Sequence, residues 1–134
     1  MREILFRGKR IDNGDWTSGF YQASPAGNHY ITSTGHTGCA RPDKVDPNTV
    51  VQYTGLKDKN DQMIFEGDLV QPVLPPSISQ PSFVWPIMPV VFSDGVFGLQ
   101  DQRGGVTPFK SFAPRVTLEV MGNVHDNPEL LKGE

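Results

Sequence analysis

Punctuation restricts this chain more than any other feature, with 14 glycines and 12 prolines spread through 134 residues. Both residues interrupt helices, and their frequency here favours many short strands joined by turns over a few long helices. A chain of this length buries roughly two-thirds of the surface it exposes when unfolded. One domain over residues 1–134 is therefore the expectation.

Read from its start, "REILFRGKRIDNGDWTSGFY" predicts a β-hairpin over residues 3–21. Asn13-Gly14 is the dipeptide suited to the positive φ angles of its turn. Residues 24–44 are small, polar and Gly-rich apart from Tyr30 and Ile31, which mark one short strand within loop. Asp46-Pro47-Asn48 reads as a turn and Thr49 to Tyr53 as a β-branched strand. Lys57 to Gln62 carries only charged and amide side chains, which suits an exposed turn. Gly67-Asp68 then supplies a permissive corner before "LVQPV", with Leu69 and Val73 expected to face the core. Asp94-Gly95 is a two-residue hairpin turn between Val90–Ser93 and Val96–Leu99. Further on, Val116, Leu118 and Val120 alternate with Thr117 and Glu119, giving a strand with one apolar face. In "NPELL", Asn127 is placed to cap a short C-terminal helical turn that Pro128 opens.

Residues 72–89, "PVLPPSISQPSFVWPIMP", hold six of the twelve prolines. Proline cannot donate to a strand ladder, so the segment predicts an excursion and not a central strand. It also carries Phe83, Trp85, Ile87 and Met88, more apolar mass than an idle loop needs. Either it folds over its own sheet or it meets a partner, and these four are the candidate partner contacts.

Composition narrows the function. A net charge of −3 and a pI near 5.5 remove the main electrostatic reason for nonspecific nucleic-acid binding. One local exception is the basic start: Arg2, Arg7, Lys9 and Arg10, with Trp16, Phe20 or Tyr21 available to stack on bases. The same charges also suit an outer face that protects an edge strand, and aromatics at strand spacing suit a core. The single cysteine, Cys39, rules out an intrachain disulfide and fits a reducing cytoplasm. No apolar run reaches the roughly 20 residues of a membrane span, and charge sits where a signal peptide would be apolar.

Catalytic and metal signals are weak. His29, His36, Cys39 and His125 offer one close pair in "HTGC", where a tetrahedral zinc site needs a second. Cys39 as a nucleophile would need a neighbouring base such as His36. Asp58, Asp61, Glu66 and Asp68 cluster, but their spacing matches no calcium loop and fits a turn with a capping carboxylate. The phosphate-cradling, nucleophile-elbow and dinucleotide motifs are all missing. The expectation is a protein without catalytic residues, metal or cofactor.

The start "MREILFRGKRIDNGDW", the block "TVVQYTGLKDKNDQMIFEGDLV" and the end "LEVMGNVHDNPELL" together resemble the YopX family of bacteriophage and prophage proteins. That resemblance implies a mostly β protein carried by phages, with no established activity. Residues 63–124 are also similar to a small SH3-like β-barrel, by their Gly-Asp corner, long first loop, Asp-Gly hairpin and closing strand. The expected architecture is thus an N-terminal β-hairpin region over 1–56, an SH3-like barrel over 63–124 interrupted by the excursion, and a C-terminal helical turn. Such barrels are mainly binding modules, an inference by analogy. The expected function is a cytoplasmic accessory protein that binds a host or phage protein or forms a homo-oligomer. The alternative is a nucleic-acid-binding barrel using Arg7, Lys9 and Arg10.

Overall fold

The structure, a computed structural model, describes residues 4–33 and 42–131. The fold is mostly β, and among the described residues the helical segments are short 3-10 turns. The chain divides into two compact units, Met1–Gly55 and Leu56–Glu134.

The first unit is built from β1 (Phe6–Lys9), β2 (Trp16–Ala23), β3 (His29–Ser33), β4 (Asp43–Lys44) and β5 (Val51–Lys57), whose last residues lead into the second unit. The sheet runs β4-β3-β2-β1-β5. β1 and β2 form the expected hairpin, with Lys9 opposite Trp16. Its connection is wider than an Asn-Gly two-residue turn. Arg10 N–H donates to the Asp15 carbonyl at 2.8 Å and Gly14 N–H to the Arg10 carbonyl at 3.0 Å. Of the pair, only Gly14 takes positive φ, at 75°, while the Asn13 side chain accepts Asp15 N–H at 3.0 Å. Asparagine here shapes the loop through its amide and not through a left-handed backbone.

Ile31, on the short strand expected around it, is fully buried with Val45, and Tyr53 and Leu5 are nearly so. Gly8 sits where a Cβ would come within 3.3 Å of Ile31, Val45 and Val50, so the missing side chain is part of this packing. Thr49 does not begin the strand as expected. It closes the 3-10 turn Pro47–Thr49, and its hydroxyl accepts Lys9 N–H at 2.8 Å while donating to the Asp46 carbonyl at 2.6 Å. Phe20 departs from the core reading of the aromatics. It is 62% exposed because it points to the outer face of β2.

The second unit contains β6 (Met63–Phe65), β7 (Asp68–Leu74), β8 (Phe83–Val84), β9 (Met88–Ser93), β10 (Val96–Gln100), β11 (Val106–Pro108) and β12 (Thr117–Asn123). Its sheet runs β11-β10-β9-β7-β12, with β8 paired to β7 beside that path. The hairpin at Asp94-Gly95 forms as the sequence predicts, with Val96 opposite Ser93. Both turn residues have positive φ, 51° and 82°, the mark of a type I′ turn. The core is Ile64, Val70, Met88, Val90 and Leu99, with Trp85, Phe97, Phe109, Phe112, Leu118 and Val120 packed against it. Leu69 and Val70 are both fully buried while Val73 is half-buried, so the expected pairing of Leu69 with Val73 is half right. A strand covered on both faces has no solvent side, and alternation cannot read it.

The excursion is narrower than residues 72–89. Pro72 lies inside β7, which has β9 and β8 along one side and β12 along the other, and Pro89 lies inside β9. The N–H and C=O of a strand residue point to the same side. The Pro72 carbonyl accepts Trp85 N–H at 3.1 Å, so its missing N–H faces the excursion and not β12. The proline is tolerated in a central strand because β9 has already ended its pairing there, at Leu69 and Val70.

Residues 57–62 form the expected exposed turn with a capping aspartate, except that Asp58 itself turns inward. Its side chain is buried. One oxygen accepts N–H from Asn60 and Gln62, each at 2.9 Å, and the other accepts N–H from Val120 of β12 at 2.9 Å. Burial pushes this carboxyl up, but the N–H groups of Val120, Gln62 and Asn60, with the Lys59 charge, outweigh it and hold the group below the ordinary carboxylate range. The folded-state value is thus below the unfolded one. The stability it contributes is present above the unfolded value and is lost as pH falls through the folded one. Asp58→Ala is expected to cost about 2 kcal/mol or more, because three N–H donors lose their acceptor. Urea unfolding at neutral pH checks this, and the loss of stability on acidification should be smaller in the variant than in the natural chain.

Candidate functional site

Gly67-Asp68 is the corner from which β7 starts. Gly67 has φ 87°, a conformation that disfavours a side chain. Its N–H donates to the Val90 carbonyl at 2.9 Å and its carbonyl accepts Val124 N–H at 2.8 Å. Asp68 is 1% exposed, and its carboxylate accepts Phe65 N–H at 2.8 Å. This glycine therefore holds β9 and the end of β12 to the start of the central strand, and the aspartate ties β6 to the same point. Asp94 and Gly95 serve the other hairpin in the same purely conformational way.

The excursion folds back on its own sheet. After Leu74 the chain reaches a tip closed by Ser77 N–H to the Gln80 carbonyl at 2.8 Å. Arg115 Nη2 holds the approach by donating to the carbonyls of Pro75 at 3.1 Å and Pro76 at 3.3 Å. β8 then pairs antiparallel with the end of β7, Val73 opposite Val84 and Leu74 opposite Phe83. Trp85 follows, its carbonyl accepting Gln71 Nε2 at 3.1 Å. Its ring meets Phe83 and Phe112 edge-on, with centroids 4.7 and 5.8 Å apart, an arrangement that satisfies the ring quadrupoles.

This packing leaves a mostly apolar cleft of about 330 Å³ lined by Trp85, Ile87 and Met88 together with Gln100, Asp101, Gln102 and Leu131. Of the candidate contacts, Trp85 and Ile87 are half-buried and present to the cleft, Phe83 is 53% exposed on β8, and Met88 is mostly core. The rest of the lining is not legible in the sequence. Gln100 ends β10 and Leu131 ends the 3-10 turn Pro128–Leu131. Nothing in their local pattern marks them as neighbours of Trp85. Asn127 also differs from the capping role expected of it, since its side-chain oxygen accepts Asn123 N–H at 3.3 Å, back on β12.

Among the described residues, the remaining candidates are spread over separate places, apart from one cluster on β1 and β2. Arg7 and Lys9 share a face of β1 and both lie over the Trp16 ring, 4.6 and 5.4 Å from its centroid. Arg10 is held by Asp12, with a 2.8 Å contact, and by Asp43 at 3.8 Å. Its hydrogen bond to Asp12 raises its pKa and lowers that of Asp12. Tyr21 packs on Phe6 and hydrogen-bonds His29 Nδ1. Asp58 and Asp68 are committed to backbone N–H groups as above, and Asp61 forms an exposed ion pair with Lys57 at 3.7 Å. Among the described residues, no three His, Cys, Asp or Glu side chains gather as a metal would require. Arg2, His36 and Cys39 lie outside the described residues. No helix among the described residues is long and apolar enough to cross a membrane.

The family model for YopX protein matches residues 6–132, nearly the whole sequence. The chain belongs to the YopX family. Its fold is similar to that in the crystal structure of protein EF1440 from Enterococcus faecalis, at a TM-score of 0.55 and 22% identity, over 98% of this chain and 99% of that one. At that identity the likeness speaks for the fold alone. No curated protein matches the sequence. Within this YopX chain, the corner glycine gives a direct test of its conformational role. Gly67→Val is expected to lose roughly 1–3 kcal/mol, the strain of a side chain in a disfavoured backbone region. Thermal and urea unfolding check the loss, and the spectrum of the folded variant should match that of the natural chain.

Proposed function

We propose that this YopX protein is a non-enzymatic phage accessory module, working in the bacterial cytoplasm, that binds other protein chains through the face formed by its proline-rich excursion. The observation that carries the reading is the cleft beside Trp85, whose lining is mostly apolar with the polar side chains of Gln100, Asp101 and Gln102 among it. Such a site buries an apolar side chain and orients the segment carrying it by a few hydrogen bonds. Asp58 and Asp68, two of the clustered carboxylates that acid-base chemistry would draw on, are engaged with backbone N–H groups away from the cleft. An SH3-like arrangement of the second unit would agree with this role, since barrels of that kind mostly bind. The reading of a nucleic-acid partner is the weaker, because Arg10, one of its three cations, is taken up by Asp12 and Asp43.

Labelling both tryptophans, Trp16 and Trp85, with 5-fluorotryptophan provides the test by fluorine NMR. Titration with short synthetic peptides of varied apolar content is expected to shift the Trp85 resonance and leave that of Trp16 in place. Gln102→Lys at the cleft rim should weaken the response. Peptides that bind without moving the Trp85 signal, or none that bind at all, would overturn the reading.

A further inference from the structure

The cleft beside Trp85 has a counterpart on the same chain. Ile78 stands at the tip of the excursion, fully exposed, between Ser77 and Gln80. The tip is held in shape by its own backbone hydrogen bond and by Arg115 at its base. Ile78 is not among the residues lining the cleft of its own chain. An apolar knob on a fixed stalk and a mostly apolar cleft of about 330 Å³ thus coexist, neither filled by the other. Presenting the knob already ordered removes much of the entropy that docking a loose loop would cost.

Charge supports a particular occupant. From Leu69 to Ser93 the sequence has no charged residue, although a fifth of the chain is charged. Two copies, each of net charge −3, repel one another overall, and an uncharged surface is where they can approach. Asp101 lines the cleft, and together with Pro86 and Gln102 it also borders an adjoining depression that Arg103 completes. One Asp101 oxygen accepts N–H from Arg103 and Gly105, each at 2.9 Å, which leaves the other available. Arg103 forms no ion pair among the described residues. A patch that carries one acid and one base side by side is self-complementary across a two-fold axis, where each acid meets the other copy's base.

We infer that the partner this face takes is a second copy of the chain, with Ile78 of each copy seated in the cleft beside Trp85 of the other and Asp101 facing Arg103 across the two-fold axis. This rests on the excursion face being a docking surface, and it names the occupant. The interface is symmetric, so every substitution acts twice.

Sedimentation velocity of the full chain over a wide concentration range tests the inference. The natural chain is expected to shift from monomer to dimer as concentration rises. Ile78→Asp, at a fully exposed position, should raise the dissociation constant roughly a hundredfold or more, since an apolar contact is lost at both sites. Arg103→Glu should also weaken the dimer, and the natural dimer should weaken as salt rises. Circular dichroism would establish that both variants remain folded. A natural chain that stays monomeric throughout, or a dimer whose constant Ile78→Asp leaves unchanged, would overturn the inference. In either case a peptide-induced shift of the Trp85 fluorine signal would still stand for a docking face with a different occupant. Loss of both results would remove the docking face itself.

Discussion

The second unit depends on where one carboxylate sits. Asp58 precedes every strand of that unit, yet it reaches the N–H of Val120 on the last of them while closing its own loop through Asn60 and Gln62. A buried carboxylate is tolerable only if its lone pairs are met, and backbone N–H groups meet them here. The Gly67-Asp68 corner repeats the device a few residues on. There a second buried carboxylate and a left-handed glycine fix the start of β7 against β9 and the end of β12. These two acids position the sheet. The core of Ile64, Val70, Met88, Val90 and Leu99 then fills in behind it.

The geometry of the excursion follows from that placement. β7 begins at a fixed corner and is paired along its first half by β9, so its second half is free to receive β8. Pro72 marks the change of partner. With its carbonyl bound by Trp85 N–H and its ring buried, it brings the excursion back onto the sheet at a defined point. Trp85 consequently lies against Phe112 and the core, and its exposed side becomes one wall of a cleft.

Local chemistry in the sequence was enough to locate the turns. Asp94-Gly95, Asp46-Pro47 and Gly67-Asp68 each force a backbone shape by themselves, and each stands where its residues predict. What needed the structure was everything decided by a distant neighbour. The charged stretch around Asp58 reads as solvated because nothing nearby in sequence announces Val120. Pro72 reads as a strand breaker because its tolerance depends on which side of β7 its nitrogen faces. Leu69 and Val70 are indistinguishable by alternation in a strand covered on both faces. The candidate site divides along the same line. Its aromatic wall was visible as surplus apolar mass in a proline-rich segment, while Gln100, Gln102 and Leu131 come from turns and strand ends with no shared pattern.

The pairing of β7 has a further consequence, for the order in which the chain becomes ordered. In the first unit β1–β2 and β2–β3 pair neighbouring segments, but β1 must also wait for β5, Phe6 opposite Gln52. In the second unit, likewise, the central strand pairs with β9 soon after it and with β12 only near the far end, Asp68 finding Asn123. Contacts of long sequence separation pay their loop-closure entropy before they return any stability. Val70, opposite Val120, therefore lies in a strand with one side unpaired until β12 has been made. That interval, with the uncharged stretch from Leu69 to Ser93 already synthesised, is when the nascent molecule is most open to unwanted association.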